Sequence, residues 1–248
     1  MHHIVLFLEF KTTSMAKAYL PGAPSNGSEL IFNDLGKKYE DVFGQDAGLH
    51  RIIERFLTFL PPHARVLDCG SGTGKPVCHM VAESGRPIHG IDLSEKMIQL
   101  SREQVPKGTF ELRSMLEYSP PPASFGGITA TLSLFELSRA DLTTMAKKWL
   151  RWMELGGFLL LAVIGAEDVD KIQPDMYDED GECASGIEFT FMGHTVYLTL
   201  FTKAGWNRLL EGHGFEIVHT ETDLFKPPDP QCDEEMHYFV IARKPEAS

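Results

Sequence analysis

The stretch Val66–Pro76, VLDCGSGTGKP, decides how the rest of the chain reads. A short apolar strand ends at Asp68, and glycines then stand at every second position: Gly70, Gly72 and Gly74. Glycines placed directly after a strand permit a tight turn and let a ligand approach the main chain without meeting a Cβ atom. The dinucleotide fingerprint spaces its glycines G-x-G-x-x-G and seats a pyrophosphate on a helix N-terminus. Here the spacing is G-x-G-x-G. A phosphate loop needs a longer run ending in Lys-Ser or Lys-Thr, whereas Lys75 is followed by Pro76. Asp68 would repel phosphate and attract an ammonium, so the ligand reads as cationic near this backbone.

Working outward, strands alternate with helices. Ser28 is expected to cap a helix through about Phe43, and a second helix covers Leu49–Leu60, stopped by Pro61-Pro62. After the ARVLD strand, Lys75 to about Ser84 reads as helix and RPIHGID as the next strand. Ser94 caps the helix SEKMIQLSREQ, and TFELRS and FGGITATLSL read as strands, the latter apolar enough to be buried on both faces. Arg139–Glu154 is amphipathic with Gly156-Gly157 as its expected stop, and FLLLAVIG follows as a fifth strand. This rhythm predicts an α/β, Rossmann-like, doubly wound and mostly parallel seven-stranded sheet. IEFTFMGHTVYLTLF alternates on both sides of Met192-Gly193, a β-hairpin inserted after the fifth strand. Thr202 caps a further helix, and HGFEIVHTE and EMHYFVIARK follow without a helix between them, which predicts a C-terminal antiparallel strand.

Residues 1–27 read as a flexible N-terminal extension, with Met15 an alternative start. Residues 28–248 read as a single domain, with 28–60 a helical lid and 166–201 a substrate cap. IVLFLEF lacks a preceding Lys or Arg and is too short for a signal peptide, and no stretch approaches the ~20 apolar residues of a membrane helix. A formal charge of -12 on 248 residues argues against nucleic acid and anionic membrane as partners. Cys69, Cys78, Cys183 and Cys232 are scattered without metal or redox spacing, so free thiols in a reducing cytoplasm are expected.

Asp92 ends the second strand about twenty residues past the glycine loop, where a carboxylate accepts both hydroxyls of a ribose. Leu93 and Met97 follow it and could line an adenine pocket; the competing reading is that Asp92 merely caps the next helix. With these residues in hand the chain resembles the class I S-adenosylmethionine-dependent methyltransferases. VLDCGSGTG is similar to their first motif, GIDLSEKMI to their second, and WMELGGFLLL to their fifth-strand entry. The resemblance runs from about Ala64 to Lys244 and looks closest to fungal secondary-metabolite enzymes acting on small molecules.

That resemblance implies S-adenosyl-L-methionine as cofactor. Asp68 and the backbone of Cys69, Gly70 and Gly72 would surround its methionine part, and Asp92 would hold its ribose. Family members carry an acidic residue for the adenine amino group after the third strand; Ser114, Met115 and Leu116 stand there instead, so backbone contacts from Met115 and Leu116 take that role. Leu132 and Ser133 would lie beneath the sulfonium, and Tyr39 would close over the cofactor carboxylate. The implied activity is methyl transfer to an O, N or S atom of a small organic acceptor, with cofactor binding without transfer as the other reading. Orienting the reactants supplies most of the acceleration, and a base helps only a protonated acceptor.

Glu136 and His194 are the candidate bases, each with a competing reading as a surface residue. Tyr177, Phe135 and Met192 are candidate acceptor contacts. Asp175, Asp178, Glu179 and Asp180 lack calcium-loop spacing, and the cluster reads as a solvated loop with no metal. Trp149, Trp152 and Trp206 lie on amphipathic helices and read as packing residues.

Overall fold

The computed structural model describes residues 26–229 and 232–246. The expectations for residues 1–25, Met15 among them, lie outside the described residues. Three helices come first: α1 (Asn26–Leu35), α2 (Lys37–Phe43) and α3 (Ala47–Phe59). The single helix expected over Ser28–Phe43 is broken at Gly36, whose φ of 50° is left-handed backbone that closes one helix and re-aims the next. Ser28 consequently sits inside the first turn of α1 and does not cap it. The cap of α3 is Asp46, which accepts the Leu49 N–H at 3.1 Å. Leu49, Ile52, Ile53 and Phe56 form the buried i, i+3, i+4, i+7 stripe of that helix.

Strand and helix then alternate, except that no helix separates β3 from β4: β1 (Val66–Cys69), α4 (Val77–Glu83), β2 (Ile88–Asp92), α5 (Glu95–Gln104), β3 (Thr109–Leu112), β4 (Phe125–Thr131), α6 (Arg139–Trp152) and β5 (Met153–Ile164). An antiparallel hairpin follows, β6 (Cys183–Phe191) and β7 (His194–Phe201), then α7 (Lys203–Gly212), β8 (Glu216–Phe225) and β9 (Glu235–Arg243). The main sheet has seven strands in the order β3-β2-β1-β4-β5-β9-β8, and β6 and β7 form a separate two-stranded sheet. From β3 to β5 the pairing is parallel, while β9 runs antiparallel to both β5 and β8. This is the Rossmann-like arrangement the sequence predicts, with the last strand inserted beside β5.

Local chemistry accounts for most boundaries. Ser94 and Thr202 each accept a backbone N–H at the start of α5 and α7, and Ser138 and Asp141 form a reciprocal capping box on α6. The end of α6 also differs from expectation: the helix stops at Trp152, and Met153 already pairs with Phe125. Gly156, at φ 73°, lies in a stretch where the β4–β5 register shifts, so the glycine pair serves a strand irregularity instead of stopping a helix. The Met192-Gly193 turn has φ of 47° and 85°, the backbone a two-residue hairpin requires.

Helices cover both faces of the sheet. Leu142, Met145, Trp149 and Trp152 of α6 pack with Trp206 of α7 on one face, and Ile52, Phe56, Val77 and Val81 fill the other. Burying each such large side chain contributes about 1.5–3 kcal/mol of transfer free energy. All three tryptophans are thus packing residues, at most 2% exposed. The carboxyl ends of β1, β2 and β4 open on one edge of the sheet. The antiparallel β9 starts at that edge, His237 lying opposite Ile164 at the end of β5.

Candidate active site

The glycine loop is bent to fit the protein as much as a ligand. Gly70 and Gly74 have φ of 81° and 86°. A Cβ at Gly70 would stand 2.3 Å from Ser133 Cβ, and one at Gly74 would stand 3.0 Å from Val105. Gly72 differs: at φ 52° its nearest neighbour would be Tyr39 Cε1, 4.0 Å away. It is therefore the position whose backbone faces open space. The loop hangs from β2, since the Gly70 and Ser71 N–H groups donate to Ile91 O at 2.8 and 3.0 Å, and Gly72 N–H donates to Asp92 Oδ2 at 2.9 Å. Asp92 Oδ1 accepts the Ser94 N–H at 2.9 Å. Ser94, not Asp92, caps α5, so the competing reading of Asp92 as the cap does not hold.

Two cavities open at this edge and adjoin. The first, about 870 Å³ with its open mouth, is lined by Gly70, Gly72, Asp92, Leu93, Met97, Met115 and Leu116. The second, about 720 Å³ with its mouth, is lined by Phe43, Phe135, Phe189, Phe191, Leu198 and Glu235. Ser28, Phe32, Tyr39, Leu132, Ser133 and Glu136 line both. The first cavity fits a nucleoside linked to an amino acid. Each Asp92 oxygen uses one backbone N–H, which leaves lone pairs for a diol, and thioether and leucine side chains offer apolar walls for a flat base. A smaller annex touching Asp68, Gly70, Gly72 and Tyr39 extends under the loop. Ser71, also at the annex, has a buried hydroxyl with no hydrogen-bond partner among the described residues. An orphaned polar atom beside a ligand-sized space is the kind of group a bound polar molecule satisfies.

A family model described as a methyltransferase domain matches residues 43–220. The chain belongs to that methyltransferase family. An uncharacterized methyltransferase of Bacillus cereus is 21% identical over 200 residues, which is 80% of this chain and 86% of the relative. Among solved structures, the Burkholderia thailandensis 1,6-didemethyltoxoflavin-N1-methyltransferase, crystallised with its substrate and S-adenosylhomocysteine, aligns with a TM-score of 0.65 at 18% identity, covering 92% of both chains. The cyclase SpnF aligns with a TM-score of 0.66 at 16% identity, covering 92% of this chain and 99% of that one. The fold is that of the class I S-adenosylmethionine-dependent methyltransferases.

In this methyltransferase most of the sequence-nominated residues converge on the two cavities, and five do not, Asp68 lining only the annex. Cys69 is wholly buried, and its carbonyl accepts the Ser133 hydroxyl at 2.7 Å, so it supports the loop from below. His194 lines neither cavity; its Nε2 is 3.5 Å from Asp34 Oδ2 of α1. Tyr177 bridges to Ala184 and packs on the hairpin. Met192 occupies the hairpin turn and packs against the aromatic group that includes Tyr39 and Phe43. These three lie on the hairpin or beside it, outside the cavity walls. Leu116 keeps its place in the wall, but its N–H donates to Ser114 Oγ at 3.2 Å and its carbonyl accepts from Lys148. The acidic loop is tied down by Arg139, which contacts Asp178 at 2.8 Å and Asp180 at 2.5 Å. The Arg139 hydrogen bond holds Asp180 down at about 2.

Asp68 is also less available than its place in the loop suggests. It is buried, accepting the Thr129 hydroxyl at 2.6 Å and the Cys78 thiol at 3.1 Å. Burial raises its carboxyl to about 6 against the opposing pull of these two bonds. Burial likewise raises Asp92, opposed by the N–H groups of Ser94 and Gly72. The Tyr39 phenol is driven well above its ordinary value, by burial first and then by Glu235 and Asp92, and stays protonated.

Three residues at this edge escape the sequence reading. His237, fully buried, places Nδ1 2.8 Å from Asp46 Oδ2 and Nε2 2.9 Å from Glu235 Oε2. Its ring stacks on Phe225 at 5.4 Å. Burial alone would lower the imidazole, but the hydrogen bonds to Asp46 and Glu235 outweigh it and carry it to about 9. Asp46 is correspondingly held below its ordinary value: burial opposes, and the His237 and Leu49 hydrogen bonds prevail. A signal did exist in the sequence. His237, Phe239 and Ile241 share one face of β9, and a histidine on an apolar strand face needs partners.

Proposed function

We propose that the protein transfers the methyl group of S-adenosyl-L-methionine to an O, N or S atom of a small organic acceptor, a secondary metabolite, by in-line displacement. The observation that carries this reading is the wall shared by the two cavities. A polar, nucleoside-sized space and an aromatic one touch across Tyr39, Leu132, Ser133 and Glu136, which would set a methyl donor and its acceptor side by side. When bound, the cofactor supplies an electrophilic methyl group. Asp92 would hold the ribose hydroxyls, the Gly70–Gly72 backbone would flank the amino-acid part, and Leu93, Met97, Met115 and Leu116 would enclose the base. Phe32, Phe43, Phe135 and Phe191 keep water from the acceptor and align it, which supports transfer through orientation. Glu136 lies on the shared wall and would take the proton from an acceptor that carries one. The buried thiols Cys69, Cys78 and Cys183 fit a reducing cytoplasm.

Titration of S-adenosylhomocysteine by calorimetry tests the reading. Binding is expected for the wild type, and Asp92→Ala should weaken it by at least about 100-fold, since two hydrogen bonds to a carboxylate are lost at about 1.5–3 kcal/mol each. Absence of heat with the wild type would sink the proposal. The likeness to SpnF favours a second reading, a cyclase that binds the cofactor without transfer. Label from the methyl group of S-adenosylmethionine appearing in an acceptor from a metabolite extract excludes it.

A further inference from the structure

The acceptor cavity holds a device that the methyltransferase reading does not use. The geometry points to a charge clamp in which Glu235, gripped by His237 with Asp46 behind it, receives the cationic end of an aromatic amine acceptor. This inference rests on the second cavity being the acceptor site, as proposed above.

Three observations carry it. The cavity wall combines aromatic rings with two carboxylates, Glu136 and Glu235, and no Lys, Arg or His lines it among the described residues. Glu235 lines the second cavity and not the first, so its charge answers to the acceptor and not to the sulfonium. Its side chain is only 11% exposed, and a carboxylate so buried costs free energy unless it is paired. The pairing is built from three elements: Asp46 at the start of α3, His237 and Glu235 on β9, and Phe225 of β8 stacked on the imidazole.

The chain of charges runs negative, positive, negative. With both ring nitrogens carrying protons toward carboxylates, His237 has no vacant nitrogen with which to accept a proton from Glu235. The cluster is thus no proton relay. It holds the Glu235 carboxylate in one direction, and two carboxylates around one imidazolium leave the three groups with a net charge of about −1. A protonated amine on a flat ring system satisfies both features of the cavity, the ring against the phenylalanines and the ammonium on the carboxylate. A carboxylate-bearing acceptor would meet two carboxylates on a wall that presents no Lys, Arg or His to it among the described residues.

Glu235 is on this reading a binding residue, and His237 and Asp46 are positioning residues. Other charged or titratable groups facing the cluster are Tyr39 on α2, Asp223 opposite His237 on β8, and Glu136 across the cavity. Asp223 is itself held by Arg51 at 3.3 Å.

Tryptamine and indole-3-acetate, the same ring with opposite charges, are the probes, titrated with and without S-adenosylhomocysteine. Tryptamine should bind the wild type at least about tenfold more tightly than the acid, the lower bound for one charge-assisted hydrogen bond. Glu235→Gln should remove that preference while leaving the affinity for S-adenosylhomocysteine intact. His237→Gln, whose neutral amide replaces the donor that grips Glu235, should reduce the tryptamine preference and leave the affinity for S-adenosylhomocysteine intact. A merely structural histidine would weaken both probes alike. Should His237→Gln not fold, Asp46→Asn, which weakens the grip on His237, should reduce the tryptamine preference. Equal binding of the two probes, no binding of tryptamine, an unaltered preference in Glu235→Gln, or an equal loss for both probes in His237→Gln overturns the clamp. If S-adenosylhomocysteine gives no heat, the methyltransferase reading fails by itself, and the probe titrations on the free protein still decide the clamp.

Discussion

The two cavities meet at Tyr39 and Glu136, yet they are made differently. The cofactor-side wall is assembled from short segments that each directly follow a strand: Gly70–Gly72 after β1, Asp92–Leu93 at the end of β2, Met115–Leu116 after β3, and Leu132–Ser133 after β4. Its framework is main-chain hydrogen bonding, as in the loop suspended from Ile91 and Asp92. The acceptor side is side-chain packing between remote segments. Phe191 at the hairpin tip lies 6.0 Å from Phe32, 6.3 Å from Tyr39 and 5.5 Å from Phe43, and Asp46 reaches His237 across 191 residues of sequence. One region is dictated by strand-turn-helix geometry, so its chemistry is bound to the fold. The other depends on where distant elements come to rest, so its chemistry can change while the fold stays.

The sharpest way to break this contrast is to insert a methyl group at Gly70. Positive φ at a non-glycine residue costs about 1–2 kcal/mol, and overpacking adds about 1–3 kcal/mol. Here the added Cβ meets Ser133 Cβ at 2.3 Å and Oγ at 2.8 Å, which also displaces the Ser133 bond to Cys69 O. Gly70→Ala should therefore lose about 2–5 kcal/mol in denaturant melts, with S-adenosylhomocysteine affinity falling alongside. An unchanged melting curve would show that the loop is not braced against β4 as described.

The acceptor-side counterpart is read through pH. The His237 pKa is raised from 6.5 to about 9 on folding, so its stabilising contribution is fully present below pH 6.5 and lost as pH rises to about 9. The full contribution is on the order of 3 kcal/mol. Asp46 is lowered, so its own contribution is present at neutral pH and lost as pH falls below its ordinary range. Wild-type stability should decline between pH 7 and 9.5, and His237→Gln should flatten that limb. Equal slopes in the two proteins would mean that the imidazole is not held protonated by its two carboxylates.

The same contrast explains what the sequence disclosed. The glycine spacing, Asp92, the Ser94 cap and the Met192-Gly193 turn are local devices, each readable within a few residues, and the turn, strand end, helix start and hairpin they mark lie where the sequence puts them. Gly36 misled because a lone glycine in a helical pattern is tolerated at about 1 kcal/mol, and nothing nearby marks it as a break. His194 and Tyr177 lie in an insertion near the site, but their neighbours are Asp34 of α1 and Ala184 of β6, which no local pattern in the sequence marks. Glu235 and His237 stand two apart on β9, but Asp46 has no spacing in common with them. Their association exists only once β9 is laid beside β5 and the α3 cap is brought over it.

The smallest effect on stability discriminates most finely within the loop. Gly72→Ala keeps the left-handed strain, about 1 kcal/mol, but adds no collision, since Tyr39 Cε1 at 4.0 Å is the nearest atom. Its melt should hardly move compared with Gly70→Ala. If a ligand packs against this backbone, the new methyl group intrudes on it, and affinity for S-adenosylhomocysteine should still fall by at least about tenfold, equal to 1.4 kcal/mol. Calorimetry beside a denaturant melt separates the two quantities. A variant that binds as well as wild type would place the ligand away from Gly72, and the glycine there would then serve the turn alone.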